Sequence, residues 1–405
     1  MAMKLMPIAG MNNVSPDDAL QRGGDAPKLF VREALNVDIS ETGRISLRKG
    51  EVKVSELKFK NIWQSPLHHD VFATLNQQLV RINPSTWSYD VLLDGVDDSI
   101  VCYEVVNNIV FISTMQGIYC YNGVLLMPLT IDTPASPRVV ANDQGGSLGT
   151  GDYIVAISYV RNGMESALSE NVHCNVSIDG QGDPLQGSMT ITLPYCLDGT
   201  VTGVNIYVTS RNGAELKKFG TYPISTLSVV IDQCEKLGRA VQFNNLSPML
   251  SGKFMQYWQG RILTADKNII RFSQAMAYHL HDERHDFVMM PQRITFVLAV
   301  DAGIWVGQVD HVVFLSGSQP SEMAFIRKTA HAPIHSSAII VDTDTVGGDI
   351  SQGGGKTALW LSENGYVLGT STGQVIELHA GTLKGITAKS GRSVRLGRRI
   401  VTLVT

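Results

Sequence analysis

The 405-residue chain carries 33 Lys and Arg against 37 Asp and Glu, a formal net charge of −4, with 44% apolar residues. This composition excludes a largely disordered chain and gives no global bias toward nucleic acid. No apolar run approaches the ~18 residues of a membrane-spanning helix, and Cys102, Cys120, Cys174, Cys196 and Cys234 form no C-x-x-C pair, which fits reduced thiols better than a disulfide framework.

The opening stretch, MAMKLMPIAGMNNVSPDD, has one lysine and no sustained apolar core. No signal peptide is expected, and synthesis in a cytoplasm is the natural reading. A basic cluster follows in GRISLRKG, with Arg44, Arg48 and Lys49. Then a recurrent shape begins: an apolar run, a polar turn of about two to four residues, and an alternating apolar run. It appears as VFATLNQQLVRINPSTWSYDVL (71–92) and as IVFISTMQGIYCYNGVLLMPL (109–129).

The pattern breaks at TPASPRVVANDQGG, a Pro-, Gly- and Asn-rich boundary. In the segment after it, Tyr153, Val155, Ile157 and Tyr159 alternate on one face before Asn162-Gly163 turns the chain. GSMTITLP and VNIYVTSRNG add strands, with a second Asn-Gly at 212–213. About seven short strands over ~110 residues predict a β-sandwich of immunoglobulin or fibronectin type.

The recurrent shape then resumes in WQGRILTADKNIIRFSQA (258–275), AGIWVGQVDHVVFLSGSQPSEMAFI (302–326) and ALWLSENGYVLGTSTGQVIEL (358–378). Within one flank the repeats start roughly forty to fifty-five residues apart, the spacing of four-stranded propeller blades, with no WD or kelch signature. The expected fold is all-β: a propeller-like body in two parts, 1–136 and 249–405, with a sandwich inserted at 137–248.

Several clusters invite a chemical reading. YHLHDERHDF packs His279, His281, His285, Asp282, Glu283 and Asp286 into ten residues. Imidazole with carboxylate suits zinc or nickel, but a charged loop between blades reads as well, and the spacing alone assigns no metal. His331 and His335 in HAPIH, and His68-His69, are weaker signals. SQGGGKT (351–357) resembles the end of a phosphate-binding loop. The pattern needs a glycine where Ile350 stands and a helix where a strand-type run follows, so a glycine turn between strands is expected. Carboxylate pairs such as Asp97-Asp98 sit in turns, where Asp is favoured for backbone reasons. No G-x-S-x-G or H-E-x-x-H occurs. No enzymatic activity and no cofactor are expected.

The C-terminal KSGRSVRLGRRIVTLVT holds the densest basic run: Lys389, Arg392, Arg395, Arg398 and Arg399. It reads either as the polar face of a closing strand or as an interface. Arg392, Arg395, Arg398 and Arg399 are the candidate interface residues, because guanidinium groups pair bidentately with carboxylates. In a near-neutral chain, contact with an acidic neighbour is favoured over DNA phosphate in a lumen.

GMNNVSPDDAL with FVREALNVDISETGRISLRKG, and YWQGRILTADKNIIRFSQA, resemble bacteriophage tail structural proteins; GDYIVAISYVRNGMESALS and VNIYVTSRNG resemble the sandwich inserted in them. The resemblance covers most of the chain in pieces. It implies a virion protein built on a propeller with an inserted sandwich: a tail nozzle, hub, baseplate part or packaged-DNA plug. It implies assembly as a symmetric oligomer with other tail proteins. A tail-tip protein that binds a host surface glycan or pilus is the alternative. No catalytic residues come with either.

Overall fold

The computed structural model describes residues 7–22, 28–40, 42–50, 52–67, 69–99, 101–178, 185–242, 245–342, 355–397 and 399–405. The protein is all-β. Among the described residues the helical elements are two single 3₁₀ turns, Asp17–Ala19 and Pro320–Glu322.

Five four-stranded antiparallel sheets are each built from strands paired in chain order. Blade 1 is Lys60–Gln64, Val71–Leu75, Gln78–Ile82 and Tyr89–Asp94; blade 2 is Cys102–Val106, Ile109–Thr114, Gly117–Tyr121 and Leu126–Pro128. Blade 3 is Lys253–Trp258, Arg261–Asp266, Ile269–Phe272 and Phe287–Met289. Blade 4 is Ile294–Val300, Gly303–Gln308, Val312–Ser316 and Ala324–Lys328, and blade 5 is Ile339–Asp342, Lys356–Ser362, Gly365–Gly369 and Val375–Glu377. Tight turns hold each meander. Asn76 and Gln77 in blade 1 take φ of 49° and 63°, and Asn107 and Asn108 in blade 2 take 49° and 61°. These are the paired left-handed conformations that match the twist of a hairpin, and Asn tolerates them best after Gly.

The blades pack face to face. Phe72 and Leu79 of blade 1 meet Ile112 and Tyr121 of blade 2; Phe111 and Ile118 of blade 2 meet Met255 and Ile262 of blade 3. Blade 4 shows how a period of two sorts side chains between neighbours. Val297, Ala299, Ile304, Val306 and Val313 turn toward Leu263 and Phe272 of blade 3. Phe296, Leu298, Trp305, Val312 and Phe314 turn toward Trp360 and Val367 of blade 5. With both faces covered, the strand ITFVLAV is buried at every residue, an unbroken apolar run instead of an alternating one.

The first strand of each blade lies innermost. Residues of all five line a central channel, which encloses about 690 Å³ and is completed by Arg392. The remaining sector of the ring is filled differently. The C-terminal hairpin, Gly391–Leu396 with Arg399–Val404, stands there as a two-stranded sheet, and so does the N-terminal hairpin, Val37–Ile39 with Ile45–Leu47.

The inserted sandwich follows blade 2. One sheet has three strands, Arg138–Asn142, Ser188–Thr192 and Ser228–Ile231; the other has five, led by Gly151–Arg161 and Gly203–Val208. This compares with the seven or so strands expected. Tyr153, Val155, Ile157 and Tyr159 point into its core with Met189, Ile191, Val204 and Ile206. Leu246–Pro248, which fell within the expected insertion, pairs instead with Leu280–Asp282 of the body.

Arg161 fastens the sandwich to the ring. It is 2% exposed. Its Nη2 donates to the carbonyls of Pro128 (2.7 Å), Leu129 (2.9 Å) and Thr130 (3.2 Å) at the end of blade 2. Its Nη1 lies 3.6 Å from Asp198 Oδ2. A second tie joins His279 Nε2 to the Glu165 carbonyl at 2.9 Å.

Candidate functional site

The C-terminal hairpin gathers the basic residues singled out in the sequence, and strand alternation divides them between two faces. On one face lie Ser393, Arg395, Ile400 and Thr402, opposed in pairs across the hairpin. This face docks on blade 5. Arg395 Nη1 meets Asp342 Oδ2 at 3.0 Å, Thr402 Oγ1 meets Tyr366 OH at 2.7 Å, and the Ser393 hydroxyl donates to the Ser337 carbonyl. Ile400 packs on the cluster of Val341, Leu359 and Leu368.

The other face holds Arg392, Val394, Leu396, Arg399, Val401 and Leu403. Arg392 Nη2 donates to Asn61 Oδ1 of blade 1 at 3.0 Å. Arg399 Nη1 lies 3.2 Å from Asp38 Oδ2 of the N-terminal hairpin, and Arg48 Nε lies 3.4 Å from the other oxygen of the same carboxylate. Three of the four candidate interface arginines therefore bond within the chain, to blade 5, blade 1 and the N-terminal hairpin. They close the ring. Arg398 lies outside the described residues. The partners of the other three come from distant parts of the chain, so no local signal in the sequence could have found them.

Three apolar residues of that second face are left uncovered, while Val401 is half-buried. Leu396 is 60% exposed and Leu403 68%; Val394 is also exposed, as are Ile45 and Leu47 of the N-terminal hairpin. On blades 2 to 4 both faces of the sheet are buried against neighbours, so this free strip sets the closing sector apart.

Salt bridges of this kind hold weakly one at a time. Arg395→Ala and Arg399→Ala should each cost about 0.2–1 kcal/mol in urea titrations, the usual value for an exposed pair. A loss well above 1 kcal/mol from either alone would mean that the closing sector depends on that one contact.

The other clusters resolve as follows. In 279–286 the side chains do not converge on one point, and neither ring nitrogen of His281 has a hydrogen-bond partner among the described residues. Asp282 pairs with Arg284 at 3.0 Å and Asp286 with Arg261 at 3.2 Å, and His279 serves the sandwich joint. His281 is buried, and burial pushes its pKa down, ahead of the opposing pull of Glu283 and Asp286. No group of three or more His, Cys, Asp or Glu that could hold a metal ion occurs among the described residues. Of SQGGGKT, residues 351–354 lie outside the described residues. Lys356 opens a strand, Lys356–Ser362, not a helix, so the helix N-terminus that a phosphate loop requires is not formed there. His331 meets Glu363 at 3.0 Å; His335 borders the channel; His68 lies outside the described residues.

No family model matches the sequence, and no curated protein matches it. Among solved structures, the chain is similar to BBS1N in its complex with ARL6DN, at 10% identity over 85% of this chain and 89% of that one, with a TM-score of 0.34. It is also similar to the AfRom2 CNH domain, at 7% identity over 82% and 91%, with a TM-score of 0.25. At these scores the likenesses carry no argument, and neither is described as a virion protein.

Proposed function

We propose that the chain is a structural subunit of a bacteriophage tail, a nozzle, hub or baseplate component that assembles with copies of itself and with neighbouring virion proteins. The observation that carries this is the uncovered apolar strip on the closing hairpin. Apolar side chains on an otherwise ion-paired surface mark contact sites for other proteins. A ring of blades packed face to face offers the rigid support that such a contact needs. A symmetric oligomer would repeat the contact at every interface. The segments that resemble tail proteins support the same reading.

The test is Leu396→Asp with Leu403→Asp. Both residues are exposed, so the folded chain should lose little, about 0.5 kcal/mol or less at each position. Sedimentation of the purified chain should show self-association in the wild type and a monomer in the double variant. A phage lacking this gene and complemented with the variant should yield few complete tails by electron microscopy. Complete, infectious particles from the double variant would overturn the assignment.

A second reading, a tail-tip protein attaching to a host glycan or pilus, has its own observation. Tyr195 and Leu197 are 86% and 91% exposed. The Leu193 N–H donates to the Leu227 carbonyl at 2.9 Å, which brings a third exposed apolar side chain, Leu227, to the same end of the sandwich. Normal particles that fail to adsorb after Tyr195→Ala with Leu197→Ala would favour it.

A further inference from the structure

We propose that one mouth of the central channel binds a small phosphate monoester, its dianionic phosphate held by Lys253 and Arg392 and its organic part by the aromatic wall behind them. The channel volume, about 690 Å³, falls within the few hundred to one thousand Å³ of small-molecule sites. Its lining comes from all five blades and the closing hairpin, so the site is preformed by the ring itself.

The charges at this mouth are unbalanced. Lys253 is the first residue of the blade 3 inner strand, Arg392 the second of the closing hairpin, and His335 comes just before the blade 5 inner strand. Burial lowers the pKa of His335, and Lys253, Arg293 and Arg392 lower it further by charge repulsion. Lys253, Arg392 and His335 line the channel together, and Arg293 immediately precedes the blade 4 inner strand at the same end. Among acidic groups, Asp97 feels the field of Lys253, while Asp98 is already paired with Lys60 at 2.8 Å. Three positive groups less one negative leave an excess of two. Among the described residues neither Lys253 nor Arg293 has a carboxylate within ion-pair distance.

Like charges gathered without counter-charge raise the energy of the empty mouth and lower that of an anion placed in it. An excess of two suits a phosphate dianion better than a single carboxylate, and the planar guanidinium of Arg392 offers paired N–H donors to phosphate oxygens. Glu104 and Lys356 also line the channel; they act on each other and do not figure among the groups acting on His335. The wall suits an organic body. Phe254 meets the ring of His335 edge-on at 5.9 Å, and Trp63 stacks on Tyr103 at 5.1 Å.

Calorimetric titration of the full chain tests this, with inorganic phosphate, phenyl phosphate and benzoate as probes at fixed ionic strength and neutral pH. Phenyl phosphate should bind saturably, one per chain, more tightly than inorganic phosphate, with benzoate weakest. Lys253→Gln should weaken phenyl phosphate binding about tenfold, while Lys356→Gln should change it less than about twofold. Should Lys253→Gln fail to fold, Arg293→Gln carries the same test, with a loss of about threefold expected. Absence of saturable binding by either phosphate overturns the proposal. So does an affinity unchanged by loss of the cation, and so does benzoate binding as tightly as phenyl phosphate.

Discussion

Replacing Arg161 with Met should uncouple the sandwich from the ring and cost about 3 kcal/mol. The substitution keeps an unbranched apolar stem, so the loss isolates the guanidinium. Three carbonyls at the end of blade 2 lose their common donor. That of Leu129 is buried, and a buried acceptor left without a partner costs about 1–3 kcal/mol. Those of Pro128 and Thr130 are part-buried and recover some of their loss from water. Asp198 loses its cation as well. In calorimetry the variant should show the sandwich and the ring melting apart, and mild protease should cut within 130–137, the linker that Arg161 braces. The tie between His279 and Glu165 remains, so detachment should be partial. A single transition at the wild-type temperature, with no new cleavage, would mean that the joint is held elsewhere.

Trp305→Ala should be the most damaging substitution within the ring, at about 3–5 kcal/mol. Its side chain is fully buried between blades 4 and 5, with its ring centroid 4.8 Å from that of Phe314 and 5.5 Å from that of Trp360. Its indole N–H also donates to the Thr370 carbonyl at 2.9 Å. Trp360 is equally buried, yet its indole N–H has no partner among the described residues. The pair gives an internal comparison. Trp305→Phe removes a buried hydrogen bond, leaving the Thr370 carbonyl with the Gly373 N–H alone at 3.2 Å, and shrinks the core, whereas Trp360→Phe removes an unpaired donor along with its volume. Urea titrations should therefore rank Trp305→Ala above Trp305→Phe and that above Trp360→Phe. Equal losses for the two Phe variants would show that volume alone decides at this seam. Gly369 limits repacking here, since a Cβ on it would sit 2.5 Å from Trp305 Cε2.

Much of this architecture is legible in local patterns. Asn162-Gly163 announces a hairpin because its φ values, 49° and 79°, are those that Asn and Gly adopt most readily. The five strand–turn segments fall on the second and later strands of the five blades. The inner strands were harder to read. In Lys60–Gln64 exposure alternates, because one side faces the channel, and the run is too polar and too short to stand out. The closing sector was the least legible. The sequence shows a basic run in 389–399, and both a polar strand face and an interface fit it. What decides the role of Arg392, Arg395 and Arg399 is the position of Asn61, Asp342 and Asp38, which only the closed ring brings near. The channel mouth is of the same kind: Lys253, His335 and Arg392 come from three different sectors, and no spacing in the chain relates them.

Closing the ring with a hairpin from one end of the chain sets an order on its making. Arg392 and Asn61 are 331 residues apart in sequence. At synthesis rates of roughly 5–20 residues per second, blade 1 waits on the order of 20–60 s on the ribosome for the hairpin that completes its side of the ring. During that interval Asn61 and the inner strand of blade 1 lack their final neighbour, while Val71 and Val80 are already covered by Phe59 and Trp87, and blade 2 and the sandwich can already fold. Nascent chains stalled before residue 391 should therefore be cut by mild protease in the inner strand of blade 1, Lys60–Gln64, and should resist once the closing hairpin emerges.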